Sequence, residues 1–228
     1  MKEKLSRSAG LTLKEILVII VIIVVAVFLL KPLIQKGAAD AASAACNNNL
    51  RKIGMALQMY ANDYDEFLPP AQWCGKDGFV TWREILGEYP DIKDEVFVCK
   101  ARKGGGVGFA VNYKTFRINV RPTSANITSL KDIKDPENTI YALDTGFVTD
   151  ETKNLPPDQW VEDTSREVRS FCRCSKYDKY WSEDPCRPMP RHRGKVNCVM
   201  ANGSVKSFTA DQIINPNEKD ENCLWDRY

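Results

Sequence analysis

Hydrophobic positions follow two different patterns along this chain. Residues 16–30 are an unbroken run of 15 apolar residues rich in Val and Ile, and Leu33 and Ile34 extend it past Lys31 and Pro32. As a helix, the 24 residues from 11 to 34 measure about 36 Å, enough for a hydrocarbon core of roughly 30 Å. From residue 46 the pattern becomes one-sided. Cys46, Leu50, Ile53, Leu57, Tyr60 and Tyr64 recur every three or four positions, while Asn47, Lys52, Gln58 and Asn62 take the opposite face. The alanine-rich stretch 38–45 joins the two parts, so the pattern predicts one helix from residue 11 to about 64. Pro32 is expected to bend this helix rather than end it, and Leu68-Pro69-Pro70 to close it.

The remaining elements are short. EVFVCK (95–100), FRINV (116–120), TIYALD (139–144) and VRSFCR (168–173) lean towards strands and are separated by turns rich in Gly, Pro, Asp and Asn. Residues 195–200 and 204–208 read as a hairpin joined through Asn202-Gly203, a pair suited to positive backbone angles. Thr81 with Glu84, and Thr209 with Gln212, have capping-box spacing and mark two brief helices. KGGGVG (103–108) lacks the helix signature and the Lys-Ser/Thr pair of a phosphate loop, and reads as a turn. These patterns place the chain in the α+β class: a long N-terminal transmembrane helix packed on a small antiparallel sheet with irregular loops.

Charge says where the basic residues matter. The 228 residues carry 32 Lys and Arg against 30 Asp and Glu. Lys2, Lys4 and Arg7 precede the apolar run with Glu3, so the remainder is balanced at 29 of each sign. A globally basic nucleic-acid binder is therefore not expected, and a positive N-terminus keeps the leader cytoplasmic and exports the C-terminal part. The dense basic stretch RPMPRHRGK (187–195) lies near Asp178, Glu183 and Asp184 and reads as a solvated mixed-charge loop.

Glu15 is out of place in such a run, because a carboxylate in lipid needs a partner. The stretch GLTLKEILVII from Gly10 resembles the cleavage and assembly signal of type IV pilins and type II secretion pseudopilins. That resemblance implies cleavage after Gly10 by a prepilin peptidase, methylation of the new terminus at Leu11, and use of Glu15 to register an incoming subunit against a neighbour's amine. Phenylalanine is usual in the family where this chain has Leu11. Pro32 stands where many pilins have a helix-kinking proline. The C-terminal part is similar to a prepilin-type group with a histidine, nine residues, then Asp-Gly; here the residues are His192, Asn202 and Gly203, with Asn replacing the usual Asp. CNNNLRKIGMALQMYANDYDEFLPP from Cys46, VFVCK from Val96 and DPENTIYALD from Asp135 share the likeness, whereas residues 150–190 look peculiar to this chain.

All eight cysteines, Cys46, Cys74, Cys99, Cys172, Cys174, Cys186, Cys198 and Cys223, follow the apolar run. An even number in an exported domain points to disulfides, and sequence leaves all 105 full pairings of eight open. A thiolate site from Cys172, Cys174, Cys186 and Cys198 is the competing use, at spacings that fit no common zinc pattern. His192, the sole histidine, reads as a hydrogen-bonded structural residue. No calcium spacing and no catalytic constellation is evident, so no cofactor, metal or enzymatic activity is expected.

The expected organisation is a leader (1–10), a transmembrane segment (11–35), an exported amphipathic half of the helix (36–65) and a globular pilin-like domain (66–228). The expected function is that of a filament subunit in a pilus or secretion pseudopilus. Its partners would be other copies of itself or related subunits, the prepilin peptidase, an inner-membrane assembly platform and membrane lipid. It would sit in the bacterial inner membrane with a periplasmic domain, and leave it as a periplasmic or extracellular filament. Two alternatives are a membrane-anchored binding module that never polymerises and an exported enzyme, which would show a convergent polar pocket around His192.

Overall fold

A single helix, α1 (Leu13–Asp63), covers the predicted span and continues through Pro32. The computed structural model describes residues 12–75, 78–119, 127–173, 175–216, 220 and 222–225, so Gly10, Leu11 and Cys174 lie outside the described residues. The chain divides into two compact units, Met1–Ala41 and Ala42–Tyr228. In the first, every large apolar side chain of α1 from Leu13 to Ile34 is exposed. In the second, Cys46, Leu50, Ile53, Leu57 and Tyr60 are buried on one face, as their spacing predicts. Tyr64 differs: it lies just past the helix, 54% exposed, with its ring stacked on that of Tyr60. The helix also stops earlier than the proline pair. Asp65 and Glu66 take positive φ, and the Glu66 N–H returns to the Ala61 carbonyl at 2.7 Å, a C-terminal cap made without glycine.

Two sheets follow. The smaller joins β1 (Gln72–Gly75), β2 (Gly78–Thr81) and β4 (Ile118–Asn119), with β1 central, antiparallel to β2 and parallel to β4. The larger contains β3 (Phe109–Asn112), β5 (Ile140–Phe147), β6 (Phe171–Cys172), β7 (Cys186–Pro188), β8 (Lys195–Met200) and β9 (Val205–Thr209). Its order is β6-β3-β5-β8-β9, and β7 pairs with the far end of β5. Among the described residues, its only parallel pair is β3 with β6. The segment 150–190 is therefore not detached, since it supplies both β6 and β7.

Both faces of the large sheet are covered. Phe109, Val111, Tyr141 and Val199 meet α1, while Ala110, Leu143, Val196, Cys198 and Met200 meet α3 (Ala210–Ile214) and Trp225. Two-sided burial explains why β5 is buried at all eight positions instead of alternating. Each fully buried Leu or Ile of α1 contributes about 2 kcal/mol.

Local signals mostly held. Thr81 and Glu84 close a capping box on α2 (Trp82–Gly87), the Thr81 N–H donating to Glu84 at 2.6 Å. Thr209 and Gln212 do the same for α3, the Thr209 N–H donating to Gln212 at 2.8 Å. Thr209→Ala is expected to cost about 1 kcal/mol, read as a lower urea midpoint with an unchanged slope. Residues 103–108 form the expected turn, with positive φ at Gly104, Gly105 and Gly106. EVFVCK departs from its strand tendency. Asp94–Phe97 is a 3-10 helix, which starts on two acidic residues and rolls Val96 and Phe97 into the core; a single bridge, Val98 to Val107, is all that remains of pairing. Of FRINV, Ile118–Asn119 is strand and Val120 lies outside the described residues; of VRSFCR, Phe171–Cys172 is strand, with the Ser170 carbonyl accepting from the Val111 N–H at 3.0 Å.

Candidate functional site

The first candidate region is the start of α1. Thr12 precedes the helix, and its N–H and hydroxyl both donate to a Glu15 carboxylate oxygen at 2.8 Å. The Glu15 N–H returns to the Thr12 hydroxyl at 3.4 Å. This reciprocal arrangement is a capping box, so Glu15 has a local role besides any intersubunit one. The T-L-K-E spacing carried that signal and sequence reasoning passed over it. Beyond Glu15, α1 is the one helix among the described residues that is long and apolar enough to cross a membrane.

The second region is a buried junction within the unit Ala42–Tyr228, where α1 meets the C-terminal hairpin. The hairpin turns at residues 201–204. The Gly203 N–H donates to the Met200 carbonyl at 2.9 Å, and Gly203 alone of the Asn202-Gly203 pair has positive φ, at 78°. Asn202 works through its side chain, accepting from the Ser204 N–H at 3.0 Å and the Ser204 hydroxyl at 2.7 Å. An asparagine oxygen serves here without any charge, so the turn does not depend on the aspartate usual in the similar group. Gly203 lies directly on Gly54 of α1. A Cβ at Gly54 would overlap the Gly203 carbonyl, and one at Gly203 would fall 2.7 Å from the Gly54 carbonyl. The two glycines thus let a helix backbone and a turn backbone touch.

His192 is set by a different turn. Arg193 and Gly194 both have positive φ, and His192 and Lys195 exchange backbone hydrogen bonds at 3.1 Å, the geometry of a tight type I′ turn. This aims the imidazole inward, only 5% exposed. Its Nε2 lies 3.1 Å from the Asp144 carboxylate on β5 and 3.7 Å from the Cys99 sulfur. Asp144 is fully buried and also accepts from the Asn197 N–H at 2.8 Å. Burial opposes a charge on the ring, but Asp144 and the Cys99 sulfur outweigh it and lift His192 to about 9. The ring is therefore an imidazolium at neutral pH. Nε2 serves both neighbours while Nδ1 has no protein partner, so one nitrogen does not anchor the ring while the other receives a proton, as in a nucleophilic relay.

Two cysteines complete the junction. Cys46 of α1 and Cys99 have sulfurs 3.2 Å apart, and both side chains are fully buried. The contact with the Cys99 sulfur and the N–H groups of Ala101 and Lys100 outweigh burial and hold the Cys46 thiol below its ordinary range. Cys99 moves the opposite way, raised by that same contact and by burial. Gly108 makes room for Cys99, since a Cβ there would overlap the Cys99 Cβ. Cys46, Cys99 and His192 form the one cluster of three Cys, His or acidic ligand atoms within 4.8 Å of one another among the described residues. The cluster offers three ligand atoms where a structural zinc takes four, and one of the three, His192 Nε2, already lies 3.1 Å from the Asp144 carboxylate.

The cluster replaces the thiolate set considered from spacing. Cys172 and Cys186 do meet, their sulfurs interacting between β6 and β7. Cys198, however, is buried on β8 with its thiol towards the Val196 carbonyl. Cys46, Cys74, Cys99, Cys186 and Cys198 carry free thiols in this structure.

The stretch 187–195 is corrected in part: Arg193, Gly194 and Lys195 are exposed, but Arg187, Arg191 and His192 turn inward. Arg187 is fully buried, donates to the carbonyls of Trp181 at 2.7 Å and Cys186 at 3.0 Å, and lies 3.6 Å over the Trp181 ring. Arg191 donates to Glu162 at 2.8 Å, and Glu162 also accepts from Arg102 at 3.1 Å. Sequence gives no sign that backbone carbonyls and one distant glutamate will satisfy these guanidinium groups.

Compared with known proteins, residues 39–112 match the family SBP_bac_10, described as a protein of unknown function (DUF1559). That stretch includes Cys46, Gly54, Cys99 and Gly108. No curated protein and no solved structure matches the chain.

Proposed function

We propose that this chain is a subunit of a type IV pilus-like or type II secretion pseudopilus filament, cut by a prepilin peptidase after Gly10 and assembled through its N-terminal helix. One observation carries the reading: within a single helix, the part in the first unit exposes every large apolar side chain from Leu13 to Ile34, and the part in the second buries one face in its own sheet. An apolar surface of that extent needs lipid before assembly and other copies after it. The GLTLKEILVII stretch supplies the processing signal, and Glu15 supplies a charge that a neighbour's amine neutralises. The balanced charge beyond the leader, and the engagement of Arg187 and Arg191 with carbonyls and Glu162, both favour protein and lipid partners over nucleic acid. The histidine, buried with both neighbours on one nitrogen, acts in this reading as a structural cation and not as an acid–base group.

The test begins with the N-terminus of protein isolated from its native membrane, read by mass spectrometry. A chain starting at Leu11 is expected. An intact Met1 would leave a plain anchor carrying a binding module, and a start near Cys46 would leave a secreted domain. Glu15→Ala is then expected to keep membrane insertion while reducing incorporation into filaments several-fold; normal incorporation would remove the assembly role from the carboxylate.

A further inference from the structure

The sulfur pair at the junction has a chemistry that helix assembly leaves unused. We propose that Cys46 and Cys99 are joined by a disulfide in the exported protein, tying α1 covalently to the segment that follows the 3-10 turn. Their sulfurs are already in contact at 3.2 Å, although the residues are 53 positions apart, and a bond of about 2.05 Å asks only for a small closing movement. The surroundings hold them there. Gly108 accommodates the Cys99 backbone, the Lys100 N–H reaches the Cys46 sulfur at 3.0 Å, and His192 lies against Cys99 on the other side. Of the pairings that sequence leaves open, this one is selected by geometry.

The oxidation balances as a thiol–disulfide exchange. The Cys46 thiolate attacks one sulfur of an oxidised disulfide donor, forming a mixed disulfide and releasing one donor thiolate. Cys99 then attacks the Cys46 sulfur, forming the internal S–S bond and expelling the second donor thiolate, which leaves with the Cys99 proton. Two protein thiols are oxidised and one donor disulfide becomes two thiols. Both sulfurs have zero exposure in the folded unit, so the exchange takes place before α1 is fully seated on the sheet, and the finished fold shields the bond from reductants.

This inference rests on the export proposed above, since disulfides persist in oxidising compartments. Tryptic cleavage isolates each sulfur: Cys46 is the single cysteine of residues 37–51, and Cys99 of residues 94–100. Protein taken from its native envelope, acid-quenched, alkylated under denaturing conditions and digested without reductant is expected to give these two peptides linked, two hydrogens lighter than their sum. Recovery of both as alkylated free thiols would overturn the bridge, as would linkage of either one to another cysteine. One zinc per chain, with both thiols recovered, would overturn it in favour of a metal site. The same digest reports the N-terminus, so the two proposals fail separately: a linked pair in a chain that keeps Met1 sinks the processing and spares the bridge, and free thiols in a chain starting at Leu11 do the reverse.

Discussion

Asp144→Ala is expected to lower the stability of the unit Ala42–Tyr228 by about 3 to 5 kcal/mol, because it removes one charge of a fully buried pair and strands the imidazolium of His192. It also takes the acceptor from the Asn197 N–H in the next strand. Urea unfolding measures the loss, and the sole histidine offers a second readout through its proton resonance in NMR. In the wild type that resonance is expected to titrate near 9, and in Asp144→Asn at a clearly lower pH. The sign of the stability effect follows. A histidine raised from 6.5 to about 9 on folding contributes fully below pH 6.5 and loses its contribution as pH climbs through 9. The stability gap between wild type and His192→Gln should therefore shrink by about 2 kcal/mol between pH 6.5 and 9.5, allowing for screening. A gap independent of pH would mean that His192 is neutral in the folded protein.

The second large effect is expected at the glycine contact. In an exposed helix, Gly→Ala gains about 1 kcal/mol of helix propensity. At Gly54 the sign should reverse, with a net loss of about 2 to 3 kcal/mol, because the new methyl group meets the Gly203 carbonyl and backbone cannot rotate away as a side chain can. Gly203→Ala suffers twice, from its positive φ and from the Gly54 carbonyl. The double variant should cost less than the sum of the two, since either one alone already parts the helix from the turn. Strict additivity of the two losses would show that the contact does not hold the elements together.

What the sequence disclosed was local. The three-and-four spacing from Cys46 to Tyr60 needs only neighbours on one helix face, so α1 and its buried stripe were legible. The hairpin around Gly203 and both caps were legible for the same reason, each being decided within a few residues. Asp144 with His192, Cys46 with Cys99 and Gly54 with Gly203 are pairings between distant segments, and each partner alone looks ordinary. EVFVCK shows the limit from the other direction: its composition suits a strand, but burying Val96 and Phe97 beneath α1 is achieved by a 3-10 turn. The buried guanidinium groups of Arg187 and Arg191 depend on carbonyls and on Glu162, which come together only when the sheet has formed.

The backbone contact between Gly54 and Gly203 also fixes a position along the helix axis. A shift of α1 by one residue in either direction would bring Ile53 or Met55 to the place where only glycine fits. The turn thus works as a detent that sets the helix at one notch. A load applied along the axis of this part of α1 would pass to the hairpin through backbone, not through side chains free to slide. Such a joint resists slipping until the hairpin itself gives way.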